Sequence, residues 1–263
     1  MQFWCSASTK AWDWSWTAYP GVWLVVAVVA ITYARLTRAG SGRNAPRVTG
    51  WVGVLTLWLA LDWPLGPLAA GYLASAHSLQ FLLVALIAPP LLLLGAREGL
   101  SAWWTAGGAT SGRGRAISRI TAPLVAAIIF NIITITTHVP AVVDSWMPTQ
   151  LGAFAIDFCW LVGGIVFWWP VIVPVPARPL FGGGMTLLYL FLGTIFHTGI
   201  AIAMLIRDFP MYGVYELAPP MTGMTAMDDI RVAGGIMELA GSAIVFGIMT
   251  VLFFRWSRDA ERS

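Results

Sequence analysis

The sequence predicts an all-α, polytopic membrane protein: a bundle of seven transmembrane helices with the amino terminus outside and the carboxyl terminus in the cytoplasm. Hydrophobic residues make up 58 % of the 263 and charged residues only 10 %, with a mean hydropathy of +0.77. Water would not keep a domain of that balance dissolved. The apolar residues also gather in runs of roughly 20, enough for a helix to cross a hydrocarbon core about 30 Å thick. Finally, Lys and Arg crowd into alternate links between those runs, as in chains oriented by retention of positive charge in the cytoplasm.

The first span covers 20–37, with Tyr19 and Trp23 as interfacial residues at its outer end. It serves as the insertion signal, because the preceding residues lack the basic start, apolar core and small-residue cleavage site of a removable leader. Trp4, Trp12, Trp14 and Trp16 in that preceding segment read as anchors in the outer headgroup layer. The second span covers 49–65. The third covers 70–95 and holds Pro89 and Pro90, whose missing backbone donors predict a bend in its inner half. The fourth, fifth, sixth and seventh cover 119–140, 152–174, 180–206 and 230–256. Between the third and fourth, the stretch 96–118 is rich in Gly, Ser and Arg and reads as a flexible, surface-lying loop. One transmembrane domain thus accounts for residues 1–263, with no repeat and no glycine loop for phosphate.

Under this plan Arg35, Arg38, Arg43, Arg47, Arg97, Arg113, Arg115, Arg119, Arg178, Arg255, Arg258 and Arg262 face the cytoplasm. Lys10, Arg207 and Arg231 face outward. The net charge of +3 and pI near 9.1 therefore reflect topology and anionic lipid headgroups. No basic surface interleaved with aromatic residues points to nucleic acid. The predicted location is the plasma (inner) membrane, in many passes, with the lipid bilayer as the main partner.

Only two cysteines occur, Cys5 outside and Cys159 in the outer half of the fifth span, at no zinc or redox spacing. They can pair in an oxidising exterior, but two unrelated thiols is the simpler reading. Polar residues within the spans are more informative, since each costs free energy in lipid and faces an interior or a cavity. His77, His138 and His197 all fall in the outer halves of their spans. Asp62, Asp157, Asp228, Asp229, Met237 and Glu238 lie at comparable depth. Imidazoles and thioethers at one depth suit copper. The outer segment Met221-Thr-Gly-Met224-Thr-Ala-Met227 adds three thioethers spaced by three residues, although methionines at membrane surfaces also occur without a ligand. Each histidine taken alone reads as a polar side chain bonded between helices.

These residues also fall into a recognisable order. Ser75-Ala-His77-Ser-Leu-Gln-Phe81, running on to Ala88-Pro89-Pro90-Leu-Leu-Leu-Leu-Gly95, resembles the third helix of the CtaG-type cytochrome c oxidase assembly factors. His138-Val-Pro140 is similar to that family's His-x-Pro, and Phe167-Trp168-Trp169-Pro170 to its aromatic-Trp-Trp-Pro. Tyr212-Gly-Val-Tyr215 resembles its Tyr-rich outer loop. Asp229-Ile-Arg-Val-Ala-Gly-Gly-Ile-Met237 resembles the start of its last helix, and Phe254-Arg255-Trp256 its end. The resemblance runs from about Asp62 onward. It implies a non-enzymatic role in building the copper-containing part of a haem-copper oxidase, with copper handled at the outer face and subunits of a membrane oxidase or another respiratory complex as partners. The copper ligands it implies are His77, His138, Asp229 and Met237. His197, Met221, Met224 and Met227 join them by position alone. Four positions depart from the family's pattern: Phe81 replaces a second histidine, Ile230 and Arg231 two glutamines, and Glu238 an aromatic residue. They leave open a permanent accessory subunit without metal transfer. A haem held between His77 and His138 is a third, lower-ranked reading.

Overall fold

The computed structural model describes residues 2–39, 47–173, 183–221 and 223–261. Arg43, Arg178, Arg262 and the predicted span ends at 174 and 180–182 lie outside them. Among the described residues every regular element is helical. In chain order these are α1 (Pro20–Ala39), α2 (Arg47–Leu61), α3 (Leu65–Gly71), α4 (Ala74–Thr105), α5 (Gly112–Ile120), α6 (Pro123–Thr137), α7 (Pro140–Trp146), α8 (Gln150–Ile172), α9 (Gly183–Ile206), α10 (Gly213–Glu216) and α11 (Ala226–Ala260).

Five of these helices, α1, α4, α8, α9 and α11, are long and apolar enough to cross a membrane. The pairs α2 with α3 and α5 with α6 pass the same test together, but they are bent by 47° and 69°, so the number of spans rises to at most seven. Proline explains where both bends fall. Pro64 and Pro123 stand at the starts of α3 and α6, where a residue without an amide hydrogen is tolerated but cannot continue the preceding helix.

The central helix is α4, with 72 % of its apolar window buried against 17 % for α1 and α11. It packs on α1, α2, α8 and the first half of α11. Its prolines, Pro89 and Pro90, lie within the helix and do not end it. They follow a π-helical stretch, Leu82–Ile87, and α4 continues beyond them to Thr105. Pro89 cannot donate to the Ala85 carbonyl, and that oxygen instead lies against Gly164 of α8, where an added Cβ would sit 2.4 Å away. Gly164 therefore lets the two helices approach closely.

The expected loop over 96–118 is mostly helical. Gly99 packs on the Leu36 backbone of α1, Trp104 is buried, and Ser111 caps α5 by accepting from the Gly114 amide at 2.9 Å. Glycine and arginine content suggested a loop, but the apolar side chains among them pack on the bundle and hold a helix. Outward faces stay apolar, with Leu24, Val28, Leu59, Leu124, Ile132 and Phe254 exposed. That is the inverse of a soluble bundle and matches lipid. Cys5 and Cys159 are both free thiols.

Candidate site: a buried imidazole chamber

At one end of the bundle the start of α4, the end of α6, the first half of α8 and the α9–α11 connection meet. His77 is on the first turns of α4 and His138 just past α6, and both are buried, at 1 % and 2 % exposure. Their ring centroids are 5.7 Å apart. Trp160 of α8 contacts both, at 4.8 Å from His77 and 5.9 Å from His138. Its indole N–H donates to the Thr137 hydroxyl at 2.8 Å, which holds the ring in place. Tyr215 closes another side at 5.8 Å from His77.

The protonation pattern follows from hydrogen bonding. His138 Nδ1 lies 2.8 Å from the Thr134 carbonyl, so Nδ1 carries the proton and Nε2 presents a lone pair. That Nε2 and both nitrogens of His77 are buried without a hydrogen-bond partner. The Ala69 carbonyl, which accepts from the Tyr215 hydroxyl at 2.7 Å, also influences His77 but lies outside hydrogen-bond geometry with its ring. Buried polar groups are ordinarily satisfied, and unpartnered ring nitrogens beside one another are what ligand positions look like.

His197 of α9 does not join this pair directly. Its ring stacks on Phe81 at 6.2 Å, and Phe81 in turn meets His138 edge-on at 4.9 Å. Phe81 thus stands between the second and third imidazoles. No three of His, Cys, Asp and Glu come together as a metal cage among the described residues. Trp160 packs on both imidazoles of the pair, and Phe81 packs on His138.

Asp229 serves as a helix cap. Its Oδ2 accepts from the Ala74 amide at 2.6 Å and its Oδ1 from the Ser75 amide at 3.3 Å, with the Ser75 hydroxyl as a third donor. A carboxylate from α11 thereby satisfies the first amides of α4, the helix that carries His77. Met237 is fully buried in a π-helical stretch, Ile236–Ala240, that packs on the start of α4. Met221 and Met224 line a pocket of about 240 Å³ whose wall includes Tyr215 and Asp229. Met227 is half-buried in the first turn of α11 and does not line that pocket. Arg231 is exposed, so its charge points away from the chamber.

Asp62 is clasped by tryptophans, its Oδ2 accepting from the indoles of Trp23 and Trp58 at 2.9 and 2.6 Å. Asp228 closes a capping box with Thr225. Trp4 corrects the expectation for the amino-terminal tryptophans. It is 1 % exposed, and its indole N–H donates to Asp157 Oδ2 at 2.8 Å, leaving Oδ1 buried and unpartnered. Trp14 and Trp16 remain exposed, as anchors would be. The segment around Trp4 is tied down by Gln150, which accepts from the Phe3 amide at 2.6 Å, and by the Ala7 amide donating to the Met147 carbonyl. It forms a plug over the first half of α8.

The Tyr212-Gly-Val-Tyr215 loop has a corresponding task. The Tyr212 hydroxyl donates to the His138 carbonyl at 3.0 Å, and the Val214 amide donates to Asp144 at 3.0 Å. Burial pushes both phenols well above their ordinary pKa, so they stay protonated donors.

A family model described as cytochrome c oxidase caa3 assembly factor matches residues 27–259. The chain belongs to that family. The match includes every element that builds the imidazole chamber except the Trp4 plug, which precedes it. No curated protein and no solved structure matches the chain. Membership in the assembly-factor family assigns the chain to oxidase assembly and to association with a membrane oxidase and the bilayer. Trp160 and Tyr215 complete its chamber; Tyr215 is marked in the sequence only by the tyrosine motif, and Trp160 does not stand out as a site residue. A tryptophan one turn after the intramembrane Asp157 is the only local signal for the first.

Proposed function

We propose that this assembly factor handles copper at the outer face, holding it transiently before it passes to the oxidase, in a seven-span fold with its amino terminus outside. The observation that carries this reading is the adjacent pair His77 and His138, whose free ring nitrogens are buried at one end of the bundle. Imidazole nitrogen and thioether sulfur both suit copper, and thioether favours Cu(I). Met221 and Met224 line a pocket that shares Tyr215 with the chamber's wall, which supports a relay from sulfur to nitrogen. Two imidazoles without a third hard ligand make a site suited to release. Copper is cargo here, and no step of chemical catalysis is needed.

Anaerobic Cu(I) loading of the detergent-purified chain, removal of free metal and elemental analysis test the reading. Copper near one per chain that disappears in His77→Ala/His138→Ala supports it. An unloaded parent protein refutes it and favours the alternative of a permanent accessory subunit. That second reading draws on Phe81, which is fully buried and fills the place where a further imidazole would stand.

A further inference from the structure

A second set of unpartnered polar atoms lies outside the chamber, on the face of the bundle where α9 meets α11. A groove of about 240 Å³ there is lined by His197, Glu238, Ser242 and Thr194, with Phe191 and Phe246 on its flanks. Both phenylalanines are about half exposed, at 48 % and 51 %, so the groove opens where the neighbouring surface is lipid-like.

Two polar atoms in it, Glu238 Oε2 and His197 Nε2, are buried without a partner, and the Thr198 hydroxyl also lines it. Glu238 Oε1 accepts from the Ser242 hydroxyl at 3.1 Å, whereas Oε2 is buried with no partner. His197 is 4 % exposed. It makes a backbone interaction with Met237, and Nε2 is its buried, unpartnered nitrogen. That edge of the ring presses on Gly241, where an added Cβ would lie 2.5 Å from Nε2. The Thr194 hydroxyl spends its proton on the Leu190 carbonyl at 3.0 Å. A carboxylate in a membrane span is costly unless something pairs with it, and lipid chains have no donor to offer.

We propose that this groove receives a transmembrane helix of a partner protein, anchored by one Arg or Lys side chain that donates to Glu238 and His197. Charge complementarity selects the basic tip, and the aromatic flanks select a largely apolar body. A metal fits less well, because no third His, Cys, Asp or Glu joins these two among the described residues. The docking site adjoins the chamber, since the opposite face of His197 stacks on Phe81. The inference rests on the assembly-factor role and not on copper binding.

A photo-crosslinking amino acid at Phe246, with Ile128 on another lipid-facing helix as control, tests it in native membranes containing the full chain. The expected result is a crosslink from position 246 to one membrane protein, mapped by mass spectrometry to a transmembrane segment holding Arg or Lys. Its yield falls about tenfold or more in Glu238→Gln, as loss of a charge-assisted bond requires, while gel filtration of that variant is unchanged. Crosslinks to lipid alone, a mapped segment without a basic residue, or yield indifferent to Glu238→Gln each overturn the proposal. Copper content measured on the same preparations separates failure here from failure of the copper reading.

Discussion

Replacing Asp229 separates the role of a helix cap from that of a metal ligand. Its two oxygens accept three bonds from Ala74 and Ser75 at the start of α4. Those amides have no partner within their own helix. In Asp229→Asn one oxygen survives and the charge is lost. At about 1.5–3 kcal/mol for a hydrogen bond to a charged group, the variant is expected to lose ~2 kcal/mol. Asp229→Ala orphans every donor. At about 1–3 kcal/mol for each buried unsatisfied group, ~4 kcal/mol is expected. Thermal unfolding in detergent, followed by tryptophan fluorescence, reads the order parent, Asn, Ala. Copper content after Cu(I) loading should be nearly unchanged in the Asn variant, because His77 keeps its place when α4 keeps most of its cap. An Asn variant as stable as the parent but unable to retain copper would refute the cap and make Asp229 a ligand.

Two further substitutions address the plug and the chamber. Cys5 is 2 % exposed next in sequence to Trp4, its thiol donates to the Leu61 carbonyl at 3.4 Å, and burial holds that thiol well above the ordinary pKa, so maleimide should leave it unlabelled in the parent. Trp4→Ala removes the indole bond to Asp157 and should raise Cys5 labelling at least about tenfold, since loss of a large buried aromatic costs about 3–5 kcal/mol locally. Unchanged labelling would show that the segment is held without Trp4. Phe81→His places an imidazole between His138 and His197. Cu(I) retention against a competing chelator should strengthen, and no change would argue that copper does not enter the chamber.

Composition and the length of apolar runs were enough to read an all-helical membrane bundle, because lipid allows a spanning backbone few other forms. Depth along each span also placed His77, His138, Asp157 and Asp229 at the same end, since rise per residue is constant in a helix. What a neighbouring helix brings to a side chain is not encoded at that level. Nothing local shows that Asp229 meets the first amides of α4, and Trp4 looks like a lipid anchor until Asp157 is found beneath it. Phe81 reads as a lost ligand, yet packing makes it the wall that keeps His197 from the imidazole pair. Trp104 and Gly99 sit in a stretch whose composition signals a loop, and burial against α1 makes it helix. The physical reason is common to these cases. Local sequence sets which groups need partners, while the order of helices around the bundle decides which partners they find.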